Sequence, residues 1–235
     1  MTGHVDGPRL VDVTDHHRVN HSLLAPLEGW LLARLAPRVA RRVRADACTL
    51  AGVVGAVLCG LGYAVSSRSR FLVVLATLGV VLHWLGDSLD GTVARLRGEG
   101  RPRYGFYLDH FADAVCQIVM FVGLGLSPFV DLRVAVLSLL AFQSLTLLVL
   151  LRTAVLGEFR LSFGRIGPTE AHAALVVLGV VIAVLGPSDL GPAAPGLSGY
   201  DPPVAAFGLL AIFHFLRLGL RDVLTLRADG DHRAG

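Results

Sequence analysis

Six apolar runs, near residues 48–66, 71–90, 106–126, 133–151, 170–186 and 203–220, set the terms for this chain. Each is close to the roughly 20 residues with which a helix crosses the hydrocarbon core of a bilayer. Hydrocarbon offers no partner to a backbone N–H or C=O, so spanning segments must close their hydrogen bonds as helices or as a sealed barrel. The runs are too long for barrel strands and do not alternate in polarity, which removes the barrel. The expected fold is therefore all-α, a polytopic membrane protein of six transmembrane helices. A mean hydropathy of +0.64 agrees with it, as do 54% hydrophobic residues against roughly 45–50% in soluble domains.

All basic residues other than histidine are arginines, and their placement says more than the net charge of +3. Arg18, Arg34, Arg38, Arg41, Arg42 and Arg44 precede the first run. Arg97, Arg101 and Arg103 lie between the second and third, Arg160 and Arg165 between the fourth and fifth, and Arg221, Arg227 and Arg233 after the sixth. The alternate loops hold only Arg68 and Arg70, then Arg133, then none in the Gly/Pro-rich 186–203 segment. The positive-inside rule then predicts both termini in the cytoplasm. Nucleic acid is not an expected partner. Residues 1–20 are polar with no apolar core, so a cleavable secretory signal is not expected.

The expected organisation is a polar tail over 1–20, an amphipathic juxtamembrane helix over 21–46, a six-helix transmembrane catalytic domain over 47–222, and a C-terminal tail over 223–235. In the second segment Leu23, Leu24, Leu27, Trp30, Leu31 and Leu35 recur at helical spacing and arginines gather toward the end. That pattern suits a helix lying on the membrane surface, started by Pro26 and broken at Pro37. Cys48, Cys59 and Cys116 are odd in number, lack C-x-x-C spacing and sit in or beside apolar runs, which reads as core packing.

Against this background, four carboxylates between Asp87 and Asp113 are out of place. Asp87 and Asp90 are three apart, so on a helix they share a face with Gly91 and Ala94. Asp109 and Asp113 are four apart, with Gly105 one turn earlier, and repeat the design. At about 1.5 Å per residue, Asp87 lies roughly 24 Å from Phe71 and close to the inner edge of the hydrocarbon. The short connection predicts antiparallel neighbouring helices with converging acids. Four carboxylates crowded in a low dielectric need compensating charge. Oxygen-only donors suit Mg²⁺, Mn²⁺ or Ca²⁺, and two acidic pairs suffice for two ions. Metals at a membrane surface beside arginines point to phosphate or diphosphate chemistry. Gly91, Ala94 and Gly105 clear a groove there, and Arg95 is placed to pair with a phosphate or a base.

The run Asp87-x2-Asp90-Gly91-x2-Ala94-Arg95-x9-Gly105-x3-Asp109-x3-Asp113 resembles the signature of the CDP-alcohol phosphotransferases, also called CDP-alcohol phosphatidyltransferases, with every position filled. The resemblance implies transfer of a substituted phosphate from a CDP-linked donor, CDP-diacylglycerol or CDP-choline/ethanolamine, to an acceptor alcohol, releasing CMP in phospholipid synthesis. One of the two substrates would be a lipid. It implies Mg²⁺ or Mn²⁺, as two ions, held chiefly by Asp87, Asp90 and Asp109, with Asp113 beside them as the base. Gly91, Ala94, Arg95 and Gly105 would line the cytidine nucleotide site. It also implies a homodimer and an active site at the cytoplasmic face. Many members carry Pro-Asn-x-x-Thr before the first span; here only Thr49 of that motif remains, a candidate nucleotide contact or a helix cap.

The acceptor is less legible. Arg152, Arg160 and Arg165 could hold a phosphorylated small alcohol, whereas Glu170 of the Gly164–Ala171 loop could face a cationic head group. Alternatively Pro168-Thr169-Glu170 only starts the fifth span, with Thr169 as cap. His83, one turn before Asp87, is either a partner of a metal ligand or a satisfied interior histidine. His110 should point away from the site, while His172 and His214 have no nameable partner. Competing readings are an aspartate-rich Mg²⁺-dependent membrane prenyltransferase and a non-enzymatic cation transporter. The first does not require the intervening Gly91, Ala94-Arg95 and Gly105, and the second would place its acids near mid-bilayer.

Overall fold

The computed structural model describes residues 22–156, 167–191 and 196–233, with side chains described as far as 228. Seven α-helices appear in these residues: α1 (Ala25–Ala40), α2 (Ala45–Ala64), α3 (Phe71–Arg97), α4 (Pro102–Gly125), α5 (Leu132–Leu156), α6 (Pro168–Leu185) and α7 (Asp201–Arg233). A 3-10 turn at Ser66–Arg68 joins α2 to α3. The six helices from α2 to α7 are long and apolar enough to cross a membrane. The chain is therefore an integral membrane protein, all-α among its described residues.

α1 is the shorter helix ahead of the bundle. Pro26 sits in its first turn, where a missing N–H costs nothing. Pro37, expected to end it, lies inside instead, and the helix continues to Ala40. The last turn is held from outside, because Leu35, Ala36 and Val39 pack with Leu89 and Val93 of α3. Leu23, Leu27 and Trp30 stay exposed, and the Arg34 guanidinium lies 3.8 Å from the centre of the Trp30 ring. The first span begins at Ala45, inside the stretch assigned to the surface helix. α7 likewise runs through to Arg233, past residue 222, where the sequence reading placed a tail.

Small residues decide how the bundle closes. A Cβ on Gly55 would lie 2.5 Å from the His83 amide nitrogen, and one on Gly79 would lie 2.6 Å from the Cys59 amide nitrogen. A Cβ on Gly86 would lie 2.5 Å from the Cys48 carbonyl oxygen. α2 and α3 thus touch main chain to main chain, the packing that small residues allow inside a membrane. Gly60 and Gly123 bring α4 against another side of α2 in the same way.

α3 and α4, joined by residues 98–101 alone, bring their acids together as expected, but the two helices pack little directly; each packs on α2. The glycine contacts draw both onto α2 and leave a gap between them. α5 packs on α4 and α7, and α6 packs on α3. The largest buried cluster, including Tyr63, Val80, Met120, Leu124 and Ile182, sits where α2, α3, α4 and α6 meet.

Candidate active site

The acidic residues stand on the walls of the gap between α3 and α4. α3 stays helical through the whole stretch from Asp87 to Arg97 and stops at Gly98, whose φ of +64° is the left-handed conformation that closes a helix. Glu99 donates its N–H to the Ala94 carbonyl to complete that stop. Beside it the Arg97 guanidinium, hydrogen-bonded to Glu99, holds the Glu99 carboxyl below its ordinary range. Pro102 then opens α4. Across this turn Arg101 pairs with Asp46 near the start of α2 at 2.8 Å, and Arg97 donates to the Ala40 carbonyl at 2.7 Å. The turn is therefore tied to α1 and α2 as well as to its own helices.

Asp87, Asp90, Asp109 and Asp113 line one narrow crevice together with Thr49, Gly52, Val53, His83, Ala112 and Cys116. Asp87 is within hydrogen-bond reach of both Asp109 and Asp113. Thr49 donates its hydroxyl to Asp90 Oδ2 at 2.8 Å, and the Gly91 N–H donates to Asp90 Oδ1. His83 is buried with Nδ1 3.1 Å from the Gly52 carbonyl oxygen. A carbonyl only accepts, so that nitrogen carries a proton and the ring is a satisfied interior histidine in the crevice wall.

Among the described residues no arginine lines this crevice. Among the described residues, no group of three or more His, Cys, Asp or Glu side chains is gathered at metal-binding geometry; the acids lie against one another. By donor chemistry they nonetheless fit a divalent cation, being hard oxygen ligands crowded into one crevice.

Not every residue singled out in the sequence enters the crevice. Thr49 does, but not as a cap: Arg44 occupies the N-cap position of α2 and Thr49 sits one turn inside. Gly91, Ala94, Arg95 and Gly105 lie further along α3 and α4, toward the 98–101 turn. Gly91 and Gly105 differ from the packing glycines. A Cβ on Gly91 would meet only the Arg95 side chain, at 3.6 Å, and one on Gly105 would meet nothing within 4 Å. These two glycines border open space. Arg95 donates to the Thr92 hydroxyl at 2.9 Å.

The acceptor candidates lie elsewhere. Arg152 is bound to Asp222 of α7 at 2.7 Å, and Arg160 and Arg165 fall outside the described residues. Glu170 accepts from the Gly167 N–H and from the Leu24 N–H, both at 2.7 Å, and so joins the start of α6 to the approach to α1. Thr169 is not the cap; its hydroxyl donates to Glu28 of α1 at 2.6 Å, and the N-cap is Gly167. His110 bonds to the Phe106 carbonyl and stays out of the crevice. His214 bonds to the Leu210 carbonyl, while His172 packs its ring 5.1 Å from that of His83. Gly52 and Cys116 in the crevice wall were not singled out as site residues. The Gly52/Gly55 pair against Gly79 and Gly86 was the available signal for the first.

Six apolar helices with an acid-lined crevice between two of them define a polytopic membrane protein that concentrates negative charge at one end of its bundle. The model of the CDP-alcohol phosphatidyltransferase family matches residues 42–215, and the chain belongs to that family. A comparison with curated proteins returns no match. Family membership makes the protein a membrane transferase of phosphate-containing groups from CDP-alcohols, acting in phospholipid synthesis. The matched stretch contains the whole crevice and excludes α1.

Proposed function

We propose that the crevice between α3 and α4 is the catalytic centre of a divalent-metal-dependent transfer in which the substituted phosphate of a CDP-linked donor passes to an acceptor alcohol with release of CMP. The observation that carries this reading is the meeting of four carboxylates from two helices in one crevice. Asp87, Asp90 and Asp109 would hold Mg²⁺ or Mn²⁺, with Asp113 alongside. Bound there, two such ions would offset the negative charge of the diphosphate and of departing CMP.

The protein's own groups supply the rest. The Thr49 hydroxyl and Gly91 N–H orient the two oxygens of Asp90. Asp113 accepts the proton of the attacking hydroxyl, a contribution of typically 10²–10⁴-fold. Gly91, Ala94 and Gly105 leave room for the cytidine nucleotide along the open side of α3 and α4, and Arg95, exposed on the same stretch, pairs with its phosphate or base. The arginine distribution puts this end of the bundle, and both termini, in the cytoplasm. A homodimer belongs to the same proposal; all four acids come from one chain, so each copy would carry a complete crevice.

The test uses purified protein in nanodiscs, a CDP-linked donor and a panel of alcohols, with CMP as the readout. CMP release should require Mg²⁺ or Mn²⁺ and stop with EDTA. Asp113→Asn should fall by at least about 100-fold while retaining nucleotide binding; turnover near wild type would remove Asp113 from the role.

A further inference from the structure

α1 stands ahead of the bundle yet is fastened to it at both ends. Leu35, Ala36 and Val39 pack with Leu89 and Val93, which bracket Asp90 and Gly91 on α3, and the Ala40 carbonyl accepts from Arg97 at the end of that helix. At its start, the Leu24 N–H donates to Glu170 and the Glu28 carboxylate accepts from Thr169, both in the first turn of α6. α1 is thus a brace between the acid-bearing turn of α3 and α6. A 16-residue helix with a proline inside it is marginal in isolation. It stands through what it touches.

Its outer face is open. Leu23, Leu27 and Trp30 are each more than half exposed and, four and three apart, form one stripe. Arg34 and Arg38 continue that stripe, and Arg41, Arg42 and Arg44 are exposed after them. The Arg34 guanidinium covers the Trp30 ring. Among the described residues, Arg34, Arg38, Arg41 and Arg42 belong to none of the ion pairs. The only acid between 22 and 44 is Glu28, and it is engaged with Thr169. The open face therefore passes from apolar to wholly basic. Leucines beside a tryptophan suit the membrane–water boundary, where a surface helix sinks its oily residues among the headgroups. Five arginines directly ahead of a span add an attraction that a neutral bilayer does not answer and anionic headgroups do.

We propose that the outer face of α1 binds an anionic lipid surface, and that this contact steadies the α3 wall of the crevice, so that membrane charge sets the rate of the enzyme. Held between lipid and α3, the last turn of α1 keeps Leu89 and Val93 in place, and with them the turn that carries Asp90. Each arginine at such a surface favours attachment roughly fivefold. Removing four of them weakens it on the order of several hundredfold. The control of rate rests on the transfer reaction proposed above; the lipid contact does not.

The experiment places the full-length protein in nanodiscs of phosphatidylcholine, alone or with about one-third phosphatidylglycerol. One readout is Trp30 emission, taken as the difference from Trp30→Phe. The other is CMP release at saturating Mg²⁺, from whichever of CDP-diacylglycerol with glycerol phosphate or CDP-choline with diacylglycerol reacts. On the anionic membrane Trp30 emission should move to shorter wavelength and CMP release should rise at least fivefold, both effects shrinking as salt shortens the reach of surface charge. Combining Arg34→Gln, Arg38→Gln, Arg41→Gln and Arg42→Gln should leave the rate on phosphatidylcholine within about twofold of wild type and abolish the rise. That retained basal rate shows the variant to be folded. Leu35→Ala, which thins the contact with α3 and leaves the outer face intact, should keep the Trp30 shift and lose most of the acceleration. Equal wild-type rates on the two membranes, or acceleration that survives loss of the four arginines, overturns the proposal. Acceleration without a Trp30 shift removes α1 as its source. CMP release on neither membrane overturns the transfer reaction and the control of its rate together, and the Trp30 shift then decides the lipid contact by itself.

Discussion

Replacing Gly86 with alanine tests whether contact between main chains sets the geometry of the crevice. The added Cβ would lie 2.5 Å from both the Cys48 carbonyl oxygen and the Gly52 amide nitrogen, where ordinary contact begins at 3.4 Å. Neither neighbour is a side chain that can rotate away. α3 must therefore retreat from α2 by about 0.9 Å, and Asp87, the next residue, moves with it. The Thr49–Asp90 hydrogen bond, now 2.8 Å, would stretch to about 3.7 Å and be lost. Overpacking of this kind costs about 1–3 kcal/mol of stability. A shift near 1 Å in a reacting constellation costs on the order of 100-fold in rate. The assay is CMP release at saturating substrate, alongside thermal unfolding in the same nanodiscs. A variant with wild-type kcat would refute the reasoning, because the acids would then hold their positions without the close approach of α2 and α3.

Gly105→Ala should behave in the opposite way. Nothing lies within 4 Å of the new Cβ and alanine favours a helix over glycine by up to about 1 kcal/mol, so unfolding temperature should hold or rise while the KM for the CDP-linked donor increases several-fold. An unchanged KM would mean that the space beside Gly105 is not where nucleotide binds. Arg152→Ala should destabilise by about 3 kcal/mol because it strands Asp222, whose side chain is 16% exposed, and changing both residues to leucine should recover most of the loss. If the single variant instead keeps its stability and raises only the KM for the acceptor, Arg152 contacts substrate.

The spans were legible because length and polarity alone separate a bilayer-crossing helix from other elements; the structured helices overlap every run that the sequence marks. The acids were legible for a related reason. Spacings of three and four are interpretable once the segments are known to be helical, and Asp87, Asp90, Asp109 and Asp113 do line one crevice. Which helix packs on which was not legible. A short connection suggests that α3 and α4 pack directly on each other, but Gly52, Gly55 and Gly60 give α2 two smooth sides, and both helices close on α2 instead. The ends of helices were hidden likewise. Pro37 reads as a break until Leu89 and Val93 of α3 are present to hold the last turn of α1. Glu170 and Thr169 invite functional readings until the Leu24 N–H and Glu28, more than 140 positions away, are found beside them.

Because α2 meets α3 and α4 through carbonyl and amide atoms, the spacing of the four crevice acids depends little on which oily residues face outward. Val180, Val184, Leu209 and Phe213, all open to the surroundings, can trade places with other apolar residues while the chemistry stays in register. The lineage is thus free to adjust its outer coat to thicker, thinner or differently curved membranes and to carry the same catalyst into each.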